Sequence, residues 1–260
     1  MRASDVIGLL ESQGEWVDRS RTKDQVLCGR PDDELSGVGV CWTATSEILK
    51  RAAADGVSLV VSHENPFYLE STSTPLTVRR ARERKRLLCA RHGITVYRCH
   101  DLWDLYPTRG VLDAWALSLG MGEPAERSGF VRLLRNVGLS AREVAQRVAS
   151  AARACGETGA TLVGAPDAHV STLAVGTGAI TDAVRMYELG ADACVVSDDG
   201  TRSWVEIQWA ADEGVPLVIV NHRTSEMPGM WGLRDYLAEQ LPGVRVSLYE
   251  SALRMEHVTA

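Results

Sequence analysis

Short apolar runs alternate with amphipathic stretches of helical length along most of this chain, and that alternation constrains its fold more than any other feature. "GVGVCWTAT" leads into "SEILKRAAADG", where Ser46 or Thr45 caps a helix and Gly56 stops it. "SLVVSHE" is the next strand. After it comes "TPLTVRRARERKRLLCARHG", with Thr74 at the cap, Pro75 in the first helical position and Gly93 just past the end. "ITVYRCHDLWD" reads as a strand entering a loop. A Gly/Pro/charge-rich stretch, "GMGEPAERSG", is a candidate boundary. Beyond it Ser140 and Glu143 form a capping-box pattern that opens "SAREVAQRVASAARACG". The second half repeats the theme, with strands at "TLAVGTG", "ADACVVSDDG", "VPLVIVNH" and "VRVSLYE" and helices at "AITDAVRMYELG" and "RSWVEIQWAADEG". Strands separated by helices of this length predict an α/β fold, a three-layer α/β/α arrangement whose mainly parallel or mixed sheets are covered on both faces.

At 260 residues the chain can bury a sizeable core, as one large domain or two ordinary ones. A net charge of −6 argues against nucleic acid or an anionic membrane as the default partner. No apolar run approaches the ~20 residues a bilayer span needs. The opening "MRASDVIGLLESQGEW" has neither an apolar core nor a small-residue cleavage site, so a cytoplasmic protein is expected. Six cysteines, at 28, 41, 89, 99, 155 and 194, are scattered without a CxxC pair. That spacing predicts buried reduced thiols, no cysteine zinc site and no redox dithiol.

In sheets of this kind, ligands bind where the carboxyl ends of the strands gather their loops. Three strand ends here carry imidazoles beside carboxylates. "VVSHE" offers His63 and Glu64; "VYRCHDLWD" offers His100, Asp101 and Asp104; "VIVNHRTSE" offers His222 and, four residues on, Glu226. Nitrogen donors with carboxylates that can bridge two ions are the inventory of a two-metal hydrolytic site. His63 and Glu64 are adjacent, and side chains alternate along an extended strand. If each faces one ion of a pair, the backbone must turn at residues 63–65, where Asn65-Pro66 suits a departure. The competing reading makes His63 a strand cap and Glu64 a solvated acid.

"LVVSHENPFY", "HDLWD" and "VNHRTSE", in this order and spacing, resemble the Nif-three-like family, also called GTP cyclohydrolase I type 2 homologues. The resemblance extends to "EWVDRSRTKDQVLCGRPDDELSGVGVCWTAT" and "LAVGTGAITDAVRMYELGADACVVSDD", and so covers most of the chain. It implies a two-lobed protein assembling into hexameric rings around dinuclear metal centres. Residues 1–125 with 223–260 would form a first lobe carrying most ligands, and 126–222 an inserted second lobe. The implied ligands of two divalent ions (iron, manganese or zinc) are His63, Glu64, Asp104 as the bridging carboxylate, His222 and Glu226. Three positions depart from the family pattern. Glu64 replaces a histidine and hardens the site toward iron or manganese. Thr43 stands for an aspartate, and Arg202 for a histidine. The chemistry expected is hydrolysis of a small, nucleotide-like or heterocyclic substrate by a metal-activated water, with no nucleic acid or membrane partner. The alternative is a non-catalytic metal-binding ring or a protein-interaction module.

His100 is the candidate catalytic group, a proton shuttle, with a hydrogen-bonded structural histidine as the other reading. Gly176 and Gly178 in "VGTGAITDAV" read as a tight turn rather than an anion cradle. The cluster Arg79, Arg80, Arg82, Arg84, Lys85 and Arg86 reads as the wet face of a surface helix. His92 and His257 carry no pattern, His169 reads as a loop residue, and Trp204 with Trp209 reads as core on one helix.

Overall fold

The computed structural model describes residues 1–68, 74–201 and 204–250. Arg202 and His257 therefore lie outside the described residues. The chain divides into two compact units, Met1–Trp103 with Met230–Ala260, and Asp104–Gly229.

The first unit contains α1 (Ala3–Glu11), β1 (Gln25–Cys28), β2 (Val38–Thr43), α2 (Ser46–Ala54), β3 (Leu59–Glu64), α3 (Leu76–His92), β4 (Thr95–Arg98) and most of the short α4 (Asp101–Asp104). Its five-stranded sheet has the order β1-β4-β3-β2-β11, where β11 is Val246–Leu248. The inner strands are parallel, and β1 runs antiparallel at one edge. Cys41, Val60 and Val96 on one sheet face pack with Ile48, Leu49 and Ala52 of α2 and Cys89 of α3. On the other face lies Tyr97, whose hydroxyl donates to Glu11 of α1. Thr45 caps α2 by accepting from the Ile48 amide, as its sequence suggests. Pro75 stands one place earlier than expected, at the cap of α3 rather than its first turn. Lys85 is not on a wet face: it is buried, and Nζ donates to Pro66 O at 2.6 Å. The fixed Pro66 carbonyl satisfies the ammonium and lets the surrounding aliphatic surface close over its stem.

The second unit follows with α5 (Val111–Ser118), β5 (Glu126–Ser128), β6 (Val131–Ser140), α6 (Ala141–Ala154), β7 (Thr161–Val163), β8 (His169–Val175), α7 (Ala183–Glu188), β9 (Ala193–Ser197), α8 (Val205–Glu213), β10 (Leu217–Val220) and the first residues of α9 (His222–Gln240). Six strands take the order β5-β6-β8-β9-β10-β7; β8, β9 and β10 are parallel and the others antiparallel. Helices α5 and α6 cover one face over Leu134, Leu173, Val195 and Val218, while α7 and α8 cover Leu133, Ala174, Cys194 and Val196 on the other. The fold is thus α/β with mixed sheets, each core layered between helices. Ser140 and Glu143 make the expected capping box on α6. His169 opens β8 rather than lying in a loop. Trp204 is not core: it caps α8 in a left-handed conformation and is 70% exposed, whereas Trp209 is half-buried against Tyr187. Among the described residues, no helix is long and apolar enough to cross a membrane.

Candidate functional site

In the first unit the site grows from the end of β3. Leu59 to Ser62 are wholly buried, and His63 continues inward at 0% exposure. Its Nδ1 lies 3.0 Å from the Cys99 carbonyl oxygen. A carbonyl only accepts, so Nδ1 carries a proton, and Nε2 is the nitrogen through which this ring could ligate a metal. Glu64, next along the strand, pairs in register with Thr43 and is gripped from β4. Arg98 donates from Nη2 to Glu64 Oε2 at 2.8 Å and from Nε to the His63 carbonyl at 3.1 Å. The expected turn at 63–65 comes later. The ladder holds Glu64, and the departure falls at Pro66-Phe67, where the Asn65 side chain accepts from the Phe67 amide at 2.9 Å.

His100 meets both neighbours. Its ring stacks on His63 at 4.6 Å between centroids and 4° between planes, and its Nε2 is 3.7 Å from Glu64 Oε1. Nδ1 is bonded to Asp101 Oδ1 at 2.8 Å. Burial pushes the Asp101 carboxyl up, but bonds from His100 and the Lys23 amide outweigh it and hold the group well below the usual carboxylate range. Asp24 fixes this corner by accepting from the amides of His100 and Leu102, a cap for α4 supplied from a distant loop. Asp104 closes α4 and is 6% exposed.

In the second unit the parallel strands β9 and β10 end side by side, Ser197 opposite Val220. Asp198 accepts from the Asn221 side-chain amide at 2.8 Å and the His222 backbone amide at 3.0 Å, which satisfies the open start of α9. Asp199 Oδ2 accepts from His222 Nδ1 at 2.7 Å. With that proton committed, His222 Nε2 is left for the Glu226 carboxylate one helical turn on, with Oε1 at 2.9 Å. Burial alone would lower the His222 pKa, but bonds to Asp199 and Glu226 push it up to about 10. An imidazole between two carboxylates demands a cation, and a proton or a metal ion answers that demand.

Gly178 completes this pocket. Its φ is +66°, and a Cβ there would stand 2.9 Å from Glu226 Oε1 and 3.1 Å from His222 Nε2. Its carbonyl accepts from the Ser197 hydroxyl at 2.6 Å and the Thr181 hydroxyl at 3.1 Å, so the backbone is held against the pair. The residue read from sequence as a plain turn is a close approach that only glycine allows.

His63, Glu64 and His100 thus come together in the first unit and His222 with Glu226 in the second. Asp104 is buried at the end of its helix. These His, Asp and Glu groups could hold a metal ion. Nitrogen and oxygen donors, tautomers fixed by Cys99 O and Asp199, and the Gly178 cradle all suit a divalent cation. Sequence reasoning missed Asp199, Asp24, Arg98 and Gly178. Only Asp199 left a local signal, an acid at the end of the apolar run "ACVVSDD".

The family model described as Duf34/NIF3 (NGG1p interacting factor 3) matches residues 1–255. No curated protein matches the chain. Several solved structures share the fold. The Staphylococcus aureus hypothetical protein SA1388 aligns with a TM-score of 0.79 at 17% identity, over 99% of each chain. Reduced HcgD from Methanocaldococcus jannaschii aligns at 0.74 and 17%, covering 95% of this chain and 97% of that one. A Bacillus cereus protein related to NIF3 aligns at 0.75 and 14%, over 100% and 99%.

Proposed function

The chain belongs to the Duf34/NIF3 family, and from that premise we propose that it is a metal-dependent hydrolase acting on a small nucleotide-like or heterocyclic substrate. Its ligands for two divalent ions, iron, manganese or zinc, are His63, Glu64, Asp104, His222 and Glu226. The observation that carries the reading is the His222–Glu226 pair, anchored by Asp199 and kept open by Gly178. Held by those residues, the ions would supply Lewis acidity, lowering the pKa of a water and polarising the centre under attack. The protein's own groups supply the rest. The Cys99 carbonyl and Asp199 fix two imidazoles in the ligating tautomer. Arg98 holds one oxygen of Glu64 and orients the other. His100, steadied by Asp101 and its stack on His63, is the group that moves a proton between site and solvent. A homohexamer in the cytoplasm is part of the same proposal.

The test is metal content per chain in protein purified without added metal, wild type against His222→Ala, followed by turnover on a panel of cyclic amidines, nucleotides and phosphoesters. About two equivalents in the wild type, a sharp fall in the variant, and turnover abolished by Glu226→Ala with the oligomer intact on light scattering support the enzyme. Folded protein that takes up no metal even when supplied overturns it. Metal and assembly without turnover on any member of the panel make it a binding ring instead.

A further inference from the structure

Far from one another in sequence, Cys28 at the end of β1 and Cys89 near the end of α3 line the same cavity of 590 Å³ in the first unit. Neither Cys28 nor Cys89 is in a disulfide. Cys28 is half-buried, while Cys89 behind it is 1% exposed. The register of β1 against β4 shifts between Val26 and Cys28, an irregularity of the kind that re-aims a side chain. Gly29 follows at φ +93°, where a Cβ would strike Thr95 Cα at 2.4 Å, so the strand end is pressed against its neighbour. Arg30 and Arg86 share the cavity wall with a single acid, Asp33.

We propose that Cys28 and Cys89 form a dithiol site that reacts with small carboxylate-bearing disulfides drawn in by Arg30 and Arg86, Cys28 attacking and Cys89 resolving. This proposal departs from the expectation, drawn from cysteine spacing, that the chain holds no redox dithiol. Cys28 packs against the cluster that contains Cys89; the Cys89 thiol beside it, with the Val96 amide and the Arg86 charge, outweighs burial and holds Cys28 below the ordinary thiol range. The Cys28 sulfur, with burial, pushes Cys89 up. Exposure assigns the roles: half-buried Cys28 meets an incoming disulfide first, and Cys89, 1% exposed, is left to resolve the adduct. In the first step Cys28 sulfur bonds to one sulfur of the incoming disulfide. The old S–S bond breaks, and the leaving thiolate takes its electron pair and the proton Cys28 gave up. Cys89 then loses its proton and attacks the Cys28 sulfur, releasing the second small thiol. Two protein thiols are oxidised and one external disulfide is reduced.

The probe is glutathione disulfide, applied to the full folded chain, with peptide mapping under non-reducing conditions and measurement of released glutathione. Wild type should form a Cys28–Cys89 disulfide and release two glutathiones per chain. Cys89→Ser should stop at a Cys28 adduct with one released, and Cys28→Ser should give neither. Native Cys28 should react at least about tenfold faster at pH 7 than the same thiol in the urea-unfolded chain. Arg86→Gln should slow the reaction with both disulfides, because the Cys28 thiolate loses a nearby charge, but about fivefold more with glutathione disulfide than with neutral bis(2-hydroxyethyl) disulfide. Equal rates in native and unfolded chain, or a wild-type disulfide joining other cysteines, overturn the proposal. Should Cys89→Ser fail to fold, the wild-type rate and Cys28→Ser still decide. Equal slowing with the two disulfides in Arg86→Gln overturns the anion-recognition part.

Discussion

Replacing Gly178 by alanine tests the cradle against the backbone that carries it. Gly178 sits at φ +66°, and Gly214, which ends α8, sits at +70° with open space where a Cβ would go. Alanine at either position forces an L-residue into the left-handed region, a cost of about 1–2 kcal/mol that the two variants share. Only Gly178→Ala also drives a methyl to 2.9 Å from Glu226 Oε1 and 3.1 Å from His222 Nε2. The Gly178 carbonyl is tied to Ser197 and Thr181, so the side chains, rather than the backbone, must give way. A tenfold loss of affinity for manganese or zinc is the expected scale. At a metal concentration of about 100 times the wild-type Kd, bound metal adds about 2.7 kcal/mol to stability; after a tenfold weakening it adds about 1.4. Urea unfolding of each variant with and without metal reads this increment directly. Gly214→Ala should keep the wild-type increment while losing absolute stability, and Gly178→Ala should lose about half of it. Equal increments in the two variants would show that Gly178 shapes no metal site.

Asp199→Asn should keep a hydrogen bond to His222 Nδ1 but remove its charge, lowering metal affinity about tenfold with little change in fold by circular dichroism. Asp113 is wholly buried and accepts from Arg127 and Arg132. Burial raises its carboxyl, yet those bonds win and hold it below its ordinary value of 3.8. Its contribution is therefore complete above that value and disappears as pH falls below it. Wild-type stability should drop more steeply from about pH 4 to pH 2 than that of Asp113→Asn, measured by urea titration, and parallel curves would refute the pairing. Tyr249→Phe removes a 2.7 Å bond from the hydroxyl to Asp55 that ties the residue after β11 to the end of α2. It should cost about 1 kcal/mol in urea unfolding. Ser140→Ala, which empties the capping box of α6, should cost about as much, and an unchanged midpoint would count against the cap.

Much of the fold was legible in the sequence, because the signals involved are local. A parallel strand buried on both faces must be apolar throughout, so β2, β3, β4, β8, β9 and β10 stand out as runs. Caps are decided within one turn, and Thr45, Ser140 and Glu143 could be read directly. The antiparallel edges were not legible. β1, β5 and the charged half of β6 carry exposed Glu, Arg and Gln, and nothing local distinguishes such segments from loops until a neighbour supplies the other half of the ladder.

The site divides in the same way. His63, His100, His222 and Glu226 declare themselves as polar residues where apolar runs end, and chain order alone puts His222 and Glu226 on one helical face. Contacts across elements belong to packing. Asp199 reaches His222 because β9 and β10 are parallel neighbours, and Asp24 reaches α4 through a loop placed by the sheet edge. Gly178 is needed for what lies opposite it rather than for its own turn. Lys85 left a basic cluster for the interior because a carbonyl waited there, and Cys28 and Cys89 line one cavity because an edge strand and a helix share a wall. Sequence by itself determined which segments bury themselves and which residues end them, since burial and capping act within a few residues. Which of those residues face one another was decided by strand pairing and helix packing, which join positions the chain keeps far apart.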